Sequence, residues 1–308
     1  SEEFQKQATL NQLAYDARQA YYDCILAQAI VRVAEDSLTT FERHLADTQQ
    51  MFDVGLVSNF EVLRAKTEVG SRQSDLIAAQ NALELALVNL RRILGIAQDE
   101  PIRLQPEVIV EPITSAVDDF LTTAQLNRPE LLSLDRAIRA SGQDVKRARG
   151  EFLPRASANI NWSQTDGGGS FSPDGVTFTV AAEWDILTGG RRVYTVREAC
   201  AQKDSLVHQR EDLARLVEVD VRQAYIQMQD AAAQVEKEKG TVDLGDEGRR
   251  LAELRFQEGV GTQVEVLDAE LALTNAQSAF VRALRNYVVA KAALDRAVGV
   301  THTPPECK

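Results

Sequence analysis

Apolar positions recur in two different periods along this chain. Leu76, Ala79, Leu83, Ala86, Leu90 and Ile93 step by three and four, which sets one stripe along a helix of coiled-coil type. Phe280, Ala283, Tyr287, Ala290, Leu294 and Ala297 make the same stripe further on. From Arg191 to Gln257 there is no proline and helix formers dominate, which predicts a helix of roughly 100 Å. Gly240, Gly245 and Gly248 predict a kink or interruption in it, since each glycine costs about 1 kcal/mol in a helix. In the middle of the chain the period changes to two. Ala156, Ala158, Ile160 and Trp162 alternate with Ser157, Asn159, Asn161 and Ser163. After a loop from Gln164 to Gly175, Val176, Phe178, Val180, Ala182, Trp184 and Ile186 alternate with Thr177, Thr179, Ala181, Glu183 and Asp185. This predicts a hairpin of two strands of about ten residues, the length that crosses a bilayer at a tilt. The two tryptophans, Trp162 and Trp184, fall near the ends of the two strands, at opposite edges of an antiparallel pair, where aromatic membrane girdles sit. A soluble hairpin with one buried face shows the same alternation. A lone hairpin leaves its edges unpaired in lipid, so a membrane role requires strands from elsewhere.

The two helical stripes belong to an internal repeat. A shift of 204 positions lays Asp16-Ala17-Arg18-Gln19-Ala20-Tyr21 on Asp220-Val221-Arg222-Gln223-Ala224-Tyr225 without a gap. The same register pairs Phe52 and Gly55 with Phe256 and Gly259, Glu61-Val62-Leu63 with Glu265-Val266-Leu267, Gln73-Ser74 with Gln277-Ser278, and Gly95 with Gly299. About 21 of about 80 positions are identical. Each copy reads as two helices joined at a glycine turn and closed by a C-terminal glycine. Helices this long cannot bury themselves and must pack along their length against neighbours. The expected fold is mainly α: very long antiparallel helical hairpins in two structural repeats, plus one membrane β-hairpin that must join strands from elsewhere.

The expected segments are a first repeat hairpin over 1–95, a non-helical linker over 96–123 with a short strand near Val108–Val110, and a helix leading to the membrane over 124–150. The β-hairpin follows over 151–190, then the second repeat hairpin over 191–299 and a tail over 300–308. Arg128-Pro129-Glu130-Leu131 opens the helix that runs to about Gly150, with proline in its first turn.

Composition narrows the function. The chain has 46 acidic and 34 basic residues, a net charge of −12, which is unsuited to nucleic acid. Aromatics are only 6% of residues, so the core must come from Ala, Leu and Val. Cys24, Cys200 and Cys307 are far apart and form neither a disulfide framework nor a CxxC site. His44, His208 and His302 are scattered. Gly167-Gly168-Gly169 lacks the Lys-Ser/Thr of a phosphate loop, and there is no nucleophile elbow or HExxH. None of this supports an enzyme, a cofactor or a metal site. No run reaches the ~18 apolar residues of a spanning helix, and the opening Ser1-Glu2-Glu3-Phe4 has no signal-peptide pattern, as expected of a mature chain or of one whose beginning has been cut away.

Several motifs then carry a resemblance. Arg128-Pro129-Glu130-Leu131 and Phe152-Leu153-Pro154, Trp184-Asp185-Ile186-Leu187-Thr188-Gly189-Gly190-Arg191, Val54-Gly55-Leu56-Val57-Ser58 and Phe256-x-x-Gly259-x-x-Thr262-x-x-Glu265-Val266-Leu267-Asp268-Ala269 occur in the order of the TolC family of outer-membrane efflux proteins, which the chain resembles over essentially its whole length. The resemblance implies a homotrimer in the outer membrane of a Gram-negative bacterium, projecting into the periplasm, in which the helical hairpins form an α-barrel and the β-hairpin belongs to a trimeric β-barrel. It implies a passive exit for drugs or secreted substrates, partnered by a periplasmic adaptor and an inner-membrane pump, and in contact with outer-membrane lipid. Each family subunit gives four strands to a twelve-stranded barrel. Only one hairpin is seen here, so the chain is expected to be a fragment lacking an N-terminal helix and a first hairpin. The competing reading is a soluble periplasmic coiled-coil adaptor, which also carries a long helical hairpin.

The resemblance also assigns residues. Val54, Gly55, Leu56 and Ser58 at the first turn, and Gly259, Val260 and Thr262 at the second, are expected to dock the adaptor, with Ser58 supplying a capping hydroxyl. Glu265 and Asp268, three apart on one helix face, match the family's acidic constriction, with Glu replacing Asp at the first position. Glu61 matches a position that helps to hold the tip closed. The family's basic partner falls at Gly261 and its tyrosine at Phe256, so both closing links are expected to be absent.

Overall fold

The computed structural model describes residues 2–105, 110, 115–163 and 175–300. Six helices and two strands follow in the order α1 (Glu2–Asp53), α2 (Asn59–Leu94), α3 (Val117–Asn127), α4 (Pro129–Gly150), β1 (Arg155–Ser163), β2 (Gly175–Glu183), α5 (Arg191–Gln257) and α6 (Gln263–Val298). Contacts divide the chain into two units: Ser1–Phe4 with Pro129–Leu216, and Gln5–Arg128 with Val217–Lys308.

The larger unit holds the repeat. Hairpins α1–α2 and α5–α6 each turn through five residues, and both end on a left-handed glycine. Gly95 (φ 69°) and Gly299 (φ 78°) donate to Arg92 and Arg296, and the next residues, Ile96 and Val300, donate to Arg91 and Asp295. This is the pair of bonds by which such a cap satisfies the last carbonyls of a helix. The stripe of α6 is well covered: Ala283, Tyr287, Leu294 and Ala297 are buried. On α2 only Ala79 and Leu90 of the equivalent stripe are buried. Leu90 meets Ala20 and Cys24 of α1, flanked by Tyr21, Ala86, Leu87 and Ile93. Burial pushes the Cys24 thiol up to about 11, so it is a packing residue and not a reactive one.

Repeat-mate tyrosines tie down the segment between the hairpins. The Tyr21 hydroxyl donates to the Gln105 carbonyl and accepts from the Gln105 amide, at 3.2 and 3.0 Å. The Tyr225 hydroxyl donates to the Ser115 carbonyl at 3.4 Å. Arg128 locks the far end of α6, donating through Nε to the Ala297 carbonyl (2.7 Å) while its Nη2 meets Asp220 at 3.2 Å.

Two expectations change in this unit. The linker is not non-helical throughout 96–123, because α3 begins at Val117. Ala116 enters it in an extended conformation, and Asp118 and Asp119 occupy the first turn, where negative charge is favourable. The three prolines before it hid that start. Of the expected strand near Val108–Val110, residues 108 and 109 lie outside the described residues and Val110 is in no strand. Second, α5 is helical without interruption at Gly240, Gly245 and Gly248. A Cβ at Gly245 would touch the Leu273 backbone at 3.4 Å, so this glycine admits a close approach of α6 and does not break the helix.

In the smaller unit, α4 starts on buried Pro129 and buries Leu131, Val145 and Ala148. Its Asp135 meets Arg210 of α5 at 3.2 Å. Strands β1 and β2 pair antiparallel with Ala156 opposite Ala182, Ala158 opposite Val180, Ile160 opposite Phe178 and Trp162 opposite Val176. All eight apolar residues therefore share one face. The other face pairs Ser157, Asn159 and Asn161 with Ala181, Thr179 and Thr177. The loop predicted between the strands lies almost wholly outside the described residues, as do His302, Cys307 and the rest of the tail from Thr301.

Candidate functional site

Three places carry the residues singled out in the sequence. The first is the turn between α1 and α2. Gly55 takes φ 79°, its amide donates to Phe52 and the Leu56 amide donates to Met51, both at 2.8 Å. That reversal throws Val54 and Leu56 outward, 72% and 75% exposed, with Phe60 exposed just after them. Ser58 occupies the N-cap of α2, but its side chain makes no capping bond; its carbonyl accepts from Glu61 at 3.1 Å. The expected capping hydroxyl is thus left free of that role, since the short turn already satisfies the Glu61 amide. Phe60 escaped the sequence reading because it lies inside α2, beyond the turn motif.

The second place is the turn between α5 and α6. Gly259 takes φ 73°, and the amides of Val260 and Gly261 both donate to the Arg255 carbonyl, at 3.0 and 2.9 Å. Val260 is 70% exposed. Thr262 caps α6, its hydroxyl accepting from the Glu265 amide at 3.3 Å. Gly261 has its own steric reason. A Cβ there would stand 3.0 Å from the Arg255 Cβ and the Phe256 amide nitrogen, so a larger residue crowds the last turn of α5.

Glu265 and Asp268 are exposed on one side of α6, opposite the buried Val266 and Leu267. Arg255 Nε reaches Glu265 Oε2 at 3.5 Å, a pairing across the turn that the sequence reading missed. Both side chains are about half exposed, so solvent leaves this pair little strength. Glu61 behaves differently from its repeat mate: its Oε2 is buried without a hydrogen-bond partner. Phe256 sits beside His44, ring centroids 5.9 Å apart.

The third place is the hairpin. Ile160, Trp162, Val176, Phe178 and Val180 are all more than 60% exposed on the apolar face. Trp162 lies one residue from the end of β1. Trp184 lies just beyond β2, which stops at Glu183 and does not continue to Ile186. The cause is local: the Trp184 Nε1 donates to the Phe152 carbonyl at 3.2 Å, and Arg192, stacked over the Phe152 ring, meets Asp185 at 3.7 Å. These contacts draw the strand end towards α5. Among the described residues no group of His, Cys, Asp and Glu could hold a metal ion, and no helix is long and apolar enough to cross a membrane.

Similarity to known proteins fits this geometry. The chain is 25% identical to the alkaline protease secretion protein AprF of Pseudomonas aeruginosa, covering 92% of this chain and 60% of that protein. It is 26% identical to the outer membrane efflux protein BepC of Brucella suis, covering 92% and 62%. It thus spans about three fifths of the length of these curated relatives. Its fold matches the open state of the MtrE outer membrane channel of Neisseria gonorrhoeae with a TM-score of 0.77 at 20% identity, covering 97% of this chain and 68% of that one. Residues 2–96 and 120–300 match the outer membrane efflux protein family. Two helical hairpins in repeat, one apolar-faced β-hairpin and this match together place the chain in the outer membrane efflux protein family.

Proposed function

We propose that this chain is part of a passive outer-membrane exit duct, a homotrimeric channel serving small-molecule efflux or protein secretion with a periplasmic adaptor and an inner-membrane pump. The observation that carries the reading is the hairpin. Two strands of nine residues with one wholly apolar, exposed face have no place in water, and their edges need further strands to pair with. A second feature supports assembly with copies of the chain. Leu63, Ile77, Leu85 and Val88 lie along one face of α2 and are exposed, interspersed with Gly70, Ser74 and Asn81, a set of apolar positions that a neighbouring subunit's helices would cover.

On this reading the duct does no chemistry, and its active parts are shape, gate and docking surface. Val54, Gly55, Leu56 and Ser58, with Gly259, Val260 and Thr262, meet the adaptor. Glu265 and Asp268 form acidic rings at the narrow end, where they select for cations. Glu61 and Phe256 do not lock the tip as in the resemblance that suggested them, because Gly261 carries no base. Trp162 and Trp184 mark the two membrane interfaces. The test is Leu56→Glu in the full-length protein expressed in its own cells. Export should be lost while the oligomer, measured by mass in detergent, remains intact. Export at the wild-type level would remove the docking role from this turn.

A further inference from the structure

Next to the two turns, α1, α5 and α6 line a partly open cavity of about 460 Å³. Its apolar wall comes from Phe41, Met51, Phe256, Val266 and Leu267. Its polar lining comes from Asp47, Glu253 and Glu270, from Arg43 and His44, and from the neutral Thr40, Gln50 and Gln257. Neither the tip-docking surface nor the acidic face of Glu265 and Asp268 uses these groups.

Two buried atoms of this lining make no hydrogen bond. Glu270 is only 6% exposed, and its Oε1 makes no hydrogen bond. The nearest cation, Arg249, stands 3.8 Å away, beyond hydrogen-bond reach, and is committed to Asp246 at 3.0 Å and Glu253 at 3.1 Å. His44 Nε2 is likewise buried without a hydrogen bond, while its ring leans on Phe256. Buried acceptors without donors are expensive, and native structures rarely leave them so. The lining itself carries three carboxylates (Asp47, Glu253, Glu270) against one guanidinium (Arg43), with Arg249 behind Glu270 and Arg72 over the Phe41 ring at 5.3 Å, so the lining is net negative. Water could bond the polar wall but would gain nothing from the rings opposite.

We propose that this cavity binds a protonated amine carried on an aromatic or other apolar body. The ammonium donates to Glu270 Oε1 and is balanced by Glu253, and the body lies against Phe41 and Phe256. Aromatic faces beside a carboxylate recognise such a cation from both sides. Burial raises the Glu270 carboxyl above its ordinary value, against the pull of Arg249, and an ammonium at this place would relieve that cost. The occupant touches α1, α5 and α6 together and so ties the two hairpins at their turns.

The test is calorimetric titration of the full-length protein in detergent with 1-naphthylmethylamine at neutral pH, set against 1-naphthalenemethanol, which keeps the shape without the charge. Saturable binding of one amine per chain is expected, with Kd on the order of tens of micromolar. The alcohol and the Glu270→Gln variant should each bind about tenfold more weakly or worse, the range of one hydrogen bond to a charged group. Phe256→Ala should weaken both probes. Thermal melting shows whether Glu270→Gln is folded, and if it is not, Glu253→Gln carries the same comparison. Absence of saturable amine binding up to about 1 mM, equal binding of the alcohol, or unchanged affinity in the folded carboxylate variant would each overturn the proposal.

Discussion

Gly261 offers the sharpest test of how the second turn is built. Its family position suggests a missing basic side chain, yet a Cβ would meet three atoms of Arg255 and Phe256 at 3.0–3.1 Å, two of them backbone. Ordinary contact begins several tenths of an ångström further out, and overpacking of this kind costs about 1–3 kcal/mol. Relief requires the turn to lift, which loosens the amides of Val260 and Gly261 from the Arg255 carbonyl, each worth about 0.5–1.5 kcal/mol. Against this, alanine restricts the unfolded chain and returns about 0.4–1 kcal/mol. The net expectation for Gly261→Ala is a local loss of about 1–2 kcal/mol, which opens the turn roughly 5–30 times more often. Hydrogen exchange of the amides from Gly259 to Gly261 reads this directly. Gly240→Ala is the internal control, because no atom lies within 4 Å of its Cβ position, and it should be neutral or stabilising by up to about 1 kcal/mol. Wild-type exchange in Gly261→Ala would refute the steric account. Gly261→Arg would then become a fair way to restore a closing link.

Further expectations bear on the other sites. Glu265→Gln with Asp268→Asn should reduce the cation preference of the full-length channel in planar bilayers, read as a reversal potential nearer zero in a salt gradient; an unchanged potential would discard the acidic-ring role. Phe178 sits mid-strand opposite Ile160, so Phe178→Arg should cost about 2–4 kcal/mol of folding into lipid vesicles, and a vesicle titration showing a shift under about 0.5 kcal/mol would contradict a lipid-facing surface. His44 is held below the ordinary histidine value by burial, although Asp47 and Glu253 pull it upward. Its protonation therefore favours the unfolded chain. Its contribution is complete above about pH 6.5 and lost as pH falls through the lower folded value. Melting temperature should drop more steeply on acidification in the wild type than in His44→Gln, and parallel curves would sink the assignment.

Much of this was legible from local pattern. The bounds of α5, the proline start of α4 and the glycine ends of α2 and α6 follow from signals within a few residues. The alternation from Ala156 to Ala182 predicts even the shared apolar face, because a period of two admits no other arrangement in register. What escaped depends on contacts made only in three dimensions. Gly245 reads as a helix breaker until Leu273 is seen against it. Ser58 looks like a cap until the turn satisfies the amide without it. β2 stops early because of Phe152 and Arg192, residues outside the strand. The cavity draws on three separated segments, around His44, Glu253 and Glu270, and no spacing rule joins them.

The cavity also records how a duplicated gene drifts apart. At the 204-residue offset, Arg43, His44 and Asp47 correspond to Glu247, Gly248 and Leu251, while Glu253 and Glu270 correspond to Gln49 and Lys66. Every titratable group lining it has lost its chemistry in the sister copy or never shared it, although Phe52 and Phe256 are still the same residue. The two hairpins thus differ near the turn while sharing their glycine C-caps. A ligand for this place has a fixed stoichiometry of one per polypeptide, set by divergence between copies rather than by the symmetry they inherited.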